Sequence, residues 1–153
     1  MRLFPFFKKK HYFSAEQQER IVSAIRAMEH QTSGEIRVFV ESKNPMVAPV
    51  DRARQVFFKL KMEKTDHRNA VLLYIATKHK ELALYGDEGI FAVTGSDYWN
   101  NAVKYMISHF NGDDICEGVV QCIKQVGETL KEKFPYNSET DKNELPDEIV
   151  FGN

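Results

Sequence analysis

The sequence predicts an α/β fold, a three-layer αβα sandwich in which a small, mixed and mostly parallel sheet has helices on both faces. Three observations support this class. Segments with the periodicity of amphipathic helices alternate with short strand-like segments. One strand-like segment, "AVLLYIAT", is apolar almost throughout, which is typical of a central strand buried on both faces. The order helix-strand-helix-strand-strand-helix-helix requires a crossover between the first two strands, which makes them parallel.

The first helix is predicted from its capping residues and its apolar face. Ser14 followed by Gln17 fits a capping box, in which each residue satisfies a free backbone amide. Ile21, Ile25 and Met28 then repeat at helical spacing. The small residues of "TSG" end the helix.

The first strand and second helix follow from a change of period. In "EIRVFVES", apolar and charged residues alternate, which favours a strand. From Pro49 onward the apolar residues return to helical spacing, at Ala53, Val56, Phe57 and Leu60. The polar link "KHK" between "AVLLYIAT" and "ELALYGD" is short enough to predict an antiparallel hairpin.

Two further helices are predicted in the C-terminal half. Ser96 or Asp97 is a candidate cap for the third helix. Asp113 or Asp114 is a candidate cap for the longest helix, whose apolar stripe is the strongest periodic signal in the chain. The final "YNSETDKNELPDEIVFGN" is polar and predicts a loosely ordered tail whose last apolar residues can dock on the domain.

Length and charge bound the organisation of the chain. Its 153 residues suit one domain, which we place at 14–136, between a basic and aromatic arm at 1–13 and an acidic tail at 137–153. The net charge of −1 predicts affinity for neither nucleic acid nor membranes. No apolar run approaches the about 20 residues of a membrane span, and the N-terminus lacks the order of a secretory signal. We therefore expect a cytoplasmic protein.

Common catalytic motifs are absent from the sequence. No G-x-S-x-G, glycine-rich phosphate loop or G-x-G-x-x-G occurs, and the histidines lack zinc-ligand spacing. Cys116 and Cys122 fall on different faces of one predicted helix, which predicts neither a disulfide nor a metal-binding pair.

The strand directions do bring polar residues together. One end of the sheet gathers the start of strand one at 32–35, the start of strand two at 66–69 and the end of strand three at 86–88. This group contains Glu35, Asp66, Arg68 and Asn69, and Asp97 follows nearby. Hard cations such as Ca²⁺ and Mg²⁺ are bound by oxygen ligands, and this end of the sheet gathers several oxygen-bearing side chains.

The stretch "GDEG" at 86–89 lies at the centre of this group and has two interpretations. Asp87 and Glu88 form either an acidic tight turn, since glycine and aspartate are good turn residues, or a ligand-bearing loop. Arg68 near Asp87 or Glu35 would make a surface ion pair under the first interpretation. The sequence leaves both open.

The ordered series "TSGEIRVFVE", "RNAVLLYIA", "GDEGI", "YW" and "HFNGDDICEGVVQCIKQVGETL" resembles the TPM domain family. The resemblance runs from about Ser14 to Pro135, and the tail resembles that of soluble members from Bacteroidetes-type bacteria. It implies an αβα sandwich and a relationship to the acid phosphatase domain of the plant thylakoid lumen. It also implies divalent-metal binding, with Asp87 and Glu35, and then Glu88 and Asp66, as the metal-associated positions.

Two functions are therefore expected. The first is a domain that binds Ca²⁺ or Mg²⁺ and acts as an accessory module on a protein partner, such as a membrane-associated or assembly protein. The second is a metal-dependent phosphatase in which Asp87 and Glu35 hold the cation and Arg68 steadies the phosphate.

Overall fold

The computed structural model describes residues 12–45, 47–110, 113–137 and 144–152. The elements in order are α1 (Ala15–Glu29), β1 (Glu35–Glu41), α2 (Pro49–Lys59), β2 (Ala70–Ala76), β3 (Glu81–Gly86), α3 (Glu88–Thr94), α4 (Ser96–Ser108), α5 (Ile115–Lys131) and β4 (Val150–Phe151). The predicted arm at 1–13 lies outside the described residues except for its last two positions, and residues 138–143 of the tail also lie outside them.

The four strands form one sheet in the order β3-β2-β1-β4. β1 runs parallel to β2 and to β4, while β2 and β3 are antiparallel. The predicted crossover and hairpin are thus confirmed. The mixed, mostly parallel sheet agrees with the expected class.

Helices cover both faces of the sheet and make three layers. Side chains of α1, α3, α4 and α5 pack on the face that contains Ile36 and Val38. Side chains of α2 pack on the opposite face, with Phe39 and Leu72. Because β2 is sandwiched between these two apolar layers, all seven of its residues are buried.

The cap of α1 is the one that the sequence predicts. The Ser14 hydroxyl accepts the Gln17 amide hydrogen at 3.1 Å, and the Gln17 side chain accepts the Ser14 amide hydrogen at 3.0 Å. Of the two candidates at α5, Asp114 is the cap, because its side chain accepts the Glu117 amide hydrogen at 3.0 Å.

The predicted cap of α4 is wrong. Its N-cap is Gly95, at φ 86°, and no side chain caps the helix. The reason is the seven-residue helix α3, which the sequence pattern does not predict. Because α3 ends at Thr94, only one residue separates the two helices, and Ser96 and Asp97 already lie inside the first turn of α4.

The described part of the C-terminal tail is more ordered than its polar composition predicts. Leu145 is buried in the α2-side core, and Val150 and Phe151 pair with Phe39 and Val40 of β1. The expected docking of the last apolar residues is therefore confirmed, and it takes the form of a short parallel strand. Within the described ranges, no helix is both long and apolar enough to cross a membrane.

Candidate functional site

The starts of β1 and β2 and the end of β3 lie side by side at one end of the sheet. We call this end, formed by residues 32–35, 66–69 and 86–88, the amino rim. Glu35 is in register with Ala70, and Val71 with Gly86. The Asp87 amide donates to the Ala70 carbonyl at 2.9 Å, which extends the ladder by one residue. The strand directions thus bring together three segments that are distant in sequence.

Asp87 is the most buried acidic side chain of the amino rim, at 1% exposure. Its carboxylate accepts two hydrogen bonds from Arg68, from Nε to Oδ2 at 2.7 Å and from Nη2 to Oδ1 at 2.9 Å. Oδ1 also accepts the Glu88 amide hydrogen at 2.8 Å, which makes Asp87 the N-cap of α3. Asp87 therefore connects the loop before β2, through Arg68, to the start of α3.

Glycine permits the close contact between these loops. A Cβ on Gly89 would lie 2.1 Å from the His67 carbonyl oxygen and 2.6 Å from that of Arg68. Arg68 itself has φ 51°, so the loop before β2 turns back through a left-handed residue. A Cβ on Gly86 would lie 2.9 Å from the Trp99 ring. Both glycines of "GDEG" are therefore explained by packing.

Glu88, unlike Asp87, is largely exposed to solvent. Its side chain is 74% exposed, and Oε1 lies 3.4 Å from Nη2 of Arg68. Arg68, with its side chain 34% exposed, thus lies between two carboxylates, and these raise the pKa of its guanidinium above the ordinary value, chiefly through the hydrogen bond to Asp87.

Glu35 is held by the C-terminal segment. It is 5% exposed, and its two oxygens accept the amide hydrogens of Glu144 at 3.3 Å and Leu145 at 3.2 Å. Burial raises the pKa of this carboxyl to about 7, because the two amide bonds only partly offset the loss of water. Glu35 begins β1 and Asp87 follows the end of β3, and because β2 lies between these two strands the residues are about 10 Å apart by ordinary strand spacing.

The remaining sequence-predicted residues have separate environments. Asp66 is exposed, and its amide donates to the Glu144 carboxylate at 3.0 Å. Asn69 is fully buried and donates to the Ser33 hydroxyl at 3.3 Å, while its Oδ1 has no hydrogen-bond partner. Asp97 is exposed in the first turn of α4. Within the described ranges, no group of three or more His, Cys, Asp and Glu is arranged to hold a metal.

A second polar network lies at the opposite end of β1, and the sequence interpretation did not include its residues. Arg52 of α2 contacts both oxygens of Glu41, at 2.8 and 3.0 Å, and the buried Tyr74 hydroxyl donates to the same carboxylate. Burial opposes ionisation of Glu41, but the bonds from Arg52 and Tyr74 outweigh it and hold the pKa of Glu41 below its ordinary value. The sequence signal for Glu41 was its position at the end of β1, where the alternation of apolar and charged residues continues.

Cys116 and Cys122 both lie in α5. Both are free and buried, and burial raises the pKa of the Cys122 thiol to about 12 and also raises that of Cys116. Neither has the depressed pKa of an activated nucleophile.

Comparison with known proteins gives the family of the chain. The family model of the TPM domain matches residues 7–129. The solved structure of the BA42 protein from the psychrophilic bacterium Bizionia argentinensis is 37% identical, with 95% of this chain and 99% of that chain covered and a TM-score of 0.83. No curated protein shows significant similarity to the chain.

Two more distant structures share the fold at 16% identity. The N-terminal domain of a P. gingivalis protein has a TM-score of 0.62, with 82% of each chain covered. The N-terminal domain of the cg2496 protein from Corynebacterium glutamicum has a TM-score of 0.58, with 88% of this chain and 84% of that chain covered. Together with the family-model match and the BA42 likeness, the architecture leads to one conclusion: the chain belongs to the TPM domain family.

Proposed function

We propose that this TPM domain binds a divalent cation, Ca²⁺ or Mg²⁺, at the loop of Asp87 and Glu88 and acts as an accessory module on a partner protein. The observation that carries the proposal is the Asp87 carboxylate, 1% exposed where two loops of the amino rim meet. A carboxylate buried to this degree requires a cationic partner. Glu88, next along the chain, offers a second carboxylate that is 74% exposed and lies 3.4 Å from Arg68.

Arg68 occupies the position of that cationic partner, so cation binding is a competition. The guanidinium is anchored by Asp87 and lies close to Glu88, and with the side chain 34% exposed it has room to move into solvent. A divalent ion brings twice the charge of the guanidinium and accepts oxygen ligands from both carboxylates. Glu35 and Asp66, on the same rim, add negative potential without being needed as direct ligands.

The affinity expected for such a site is modest. Two carboxylates are fewer than the acidic ligands of a high-affinity calcium loop, and the ion must also displace Arg68. We expect a dissociation constant on the order of 10⁻⁵–10⁻³ M, as in weaker calcium modules.

An amide-resolved NMR titration with CaCl₂, and separately with MgCl₂, tests the proposal. We expect saturable shift changes at 66–69 and 86–89 in the wild type and their loss in Asp87→Asn. Asparagine is also a good N-cap, so this variant preserves the start of α3. Asp51→Asn is the matched control, because Asp51 is an exposed first-turn acid of α2, which follows the other end of β1.

Arg68→Gln supplies the discriminating measurement. Since it removes the competing guanidinium but leaves both carboxylates, it should bind the cation more tightly than the wild type. Equal affinity in wild type and Asp87→Asn would reject the site. Unchanged affinity in Arg68→Gln would reject the competition. Unchanged resonances of the buried strand β2 would confirm that each variant is folded.

The alternative proposal, a metal-dependent phosphatase, has the family resemblance as its support. Hydrolysis of a generic phosphomonoester, measured with and without chelator for wild type and Asp87→Asn, separates the two functions. Turnover that needs both the cation and Asp87 would favour the enzyme. Cation binding without turnover would favour the accessory module.

A further inference from the structure

An open groove runs between α1 and α5, and we call it the α1–α5 groove. Its volume is about 600 Å³ and its lining is mainly apolar. Ala24 and Val120, at 8% and 7% exposure, line the groove and belong to the apolar core, while Ala27, on the next turn of α1, is exposed. The groove is therefore large enough, and apolar enough, to receive side chains of a peptide segment.

Two acidic side chains border the groove at the start of α1. Glu16 and Glu19 are both exposed, and within the described ranges neither of them forms an ion pair. Arg20, the cation of the groove on the same helix, is paired with Glu117 of α5. Lys124 borders the groove on α5. The start of α1 thus presents two carboxylates that are available to a cationic partner.

Residues 1–11 of the N-terminal arm have the complementary composition. Their apolar part contains one leucine and three phenylalanines, and three consecutive lysines follow it. The apolar side chains gain stability by leaving water for an apolar surface, and the lysines match the charge of the two glutamates. The residues concerned are Leu3, Phe4, Phe6 and Phe7, and then Lys8, Lys9 and Lys10.

The arm joins the domain beside this groove. Phe13, its last residue, is 2% exposed and lies in the same core cluster as Ala24 and Val120. The Phe13 carbonyl accepts a hydrogen bond from Nε2 of Gln18 at 2.9 Å, which fixes this part of the chain at the start of α1. The described part of the chain therefore begins at the acidic end of the groove.

The distances along the arm and along the helix match. Phe7 and Phe6 precede Tyr12 by five and six residues, which an extended chain spans in about 17–20 Å. Ala24 and Ala27 lie about 14–18 Å along α1 from its first residue. A segment that runs back along α1 from Tyr12 thus brings both phenylalanines to the apolar lining, after its lysines have passed the acidic end.

We propose that residues 1–11 dock in the α1–α5 groove of the same chain, with Phe6 and Phe7 on the apolar lining and the lysines beside Glu16 and Glu19. Exposed ion pairs contribute little, so the phenylalanines supply most of the binding. Docking covers aromatic side chains that, left in water, favour the association of copies. The proposal is independent of cation binding at Asp87.

NMR on the full chain with ¹³C-labelled methyl groups tests the docking. We expect nuclear Overhauser effects between the ring protons of Phe6 and Phe7 and the methyl groups of Ala24, Ala27 and Val120. Their relative intensities should not change on dilution, because a contact within one chain does not depend on concentration. The absence of these effects would overturn the proposal. Effects that disappear on dilution would show the arm in the groove of a second copy, and would also overturn it.

A variant with both Phe6→Ser and Phe7→Ser removes the aromatic rings from the arm. We expect the methyl resonances of Ala27 and Val120 to shift, because the ring currents that act on them are lost. Phe58→Ser is the matched control. Phe58 is a phenylalanine of 40% exposure on α2, which covers the opposite face of the sheet, so its replacement should leave these methyl resonances unchanged.

Ala27→Gln tests the same contact from the side of the groove. Glutamine is a good helix former, and position 27 is exposed, so the variant should fold while its longer polar side chain occupies the groove. We expect the contacts of the arm with Ala24 and Val120 to be lost. Contacts that persist in this variant, or methyl resonances that the double variant leaves unchanged, would overturn the docking. Unchanged amide resonances of the buried strand β2 would confirm that each variant is folded.

Discussion

Arg68 and Asp87 form a bidentate ion pair that connects the loop before β2 to the start of α3. The two nitrogen–oxygen distances are 2.7 and 2.9 Å, and the carboxylate is 1% exposed. The same carboxylate caps the helix through the Glu88 amide. Asp87 thus has a structural role that any ligand must compete with, and this shapes the predictions for the amino rim.

Asp87→Ala should destabilise the protein much more than Asp97→Ala, although both aspartates lie at helix starts. Alanine at 87 removes the N-cap bond, worth about 1 kcal/mol, and also leaves Arg68 without its main partner. Asp97 caps nothing and is exposed, so its replacement should change the free energy of unfolding by less than about 0.5 kcal/mol. Urea denaturation of both variants measures the difference, and equal losses would contradict the assigned role of Asp87.

Gly89→Ala should disrupt the junction of the two rim loops. The new Cβ would lie 2.1 Å from the His67 carbonyl oxygen, and a backbone atom cannot rotate away as a side chain does. We expect a loss of stability at or above the upper end of the about 1–3 kcal/mol typical of overpacking.

Gly95→Ala is the comparison for this prediction. Position 95 has φ 86° but no atom within 4 Å of an added Cβ, so alanine there meets only backbone strain. Amide shift changes around His67 and Arg68 should accompany Gly89→Ala alone. Their absence in that variant would show that the loops are not in close contact.

Glu41 should contribute stability that is lost in acid. Its folded-state pKa is below the ordinary value, so its contribution is complete above the ordinary pKa and disappears as the pH falls through the folded-state value. Glu41→Gln should therefore flatten the acid side of a plot of unfolding free energy against pH. Glu16→Gln, at an exposed position, should leave that side unchanged.

Tyr74→Phe tests the same network at neutral pH. It removes one hydrogen-bond donor from Glu41 and leaves Arg52 in place. Because the acceptor is charged, we expect a loss of about 1.5–3 kcal/mol in unfolding free energy. A neutral effect would mean that the hydroxyl bond adds nothing beyond the ion pair.

The two cysteines should resist modification in the native protein. Both thiols are buried and have raised pKa values, so little thiolate is present at neutral pH and access is blocked. A thiol reagent should react with both only after unfolding in denaturant. Rapid reaction of Cys116 under native conditions would contradict its burial.

Helix α3 and strand β4 show where prediction from sequence loses information. Residues of α3 complete barely two turns, which is too few for an apolar period to be recognised. β4 is two residues long and forms only because the edge of β1 is available to it. Elements this short depend on the surface they meet more than on their own pattern.

The sequence by itself determined the layered architecture, the strand directions and the cap of α1, and it limited the cap of α5 to Asp113 or Asp114. Burial follows the hydrophobic period, and a cap acts on amides within three residues, so both signals are local. The sequence left Asp87 or Glu35 as the partner of Arg68, and tertiary structure decided for Asp87 and supplied the backbone partners of Glu35. Asp87 meets a residue 19 positions away, and Glu35 meets amides 109 and 110 positions away. Such polar contacts leave no periodic signal in the sequence. Each depends on the exact positions of two segments at one end of the sheet, and these positions are set only when the chain folds.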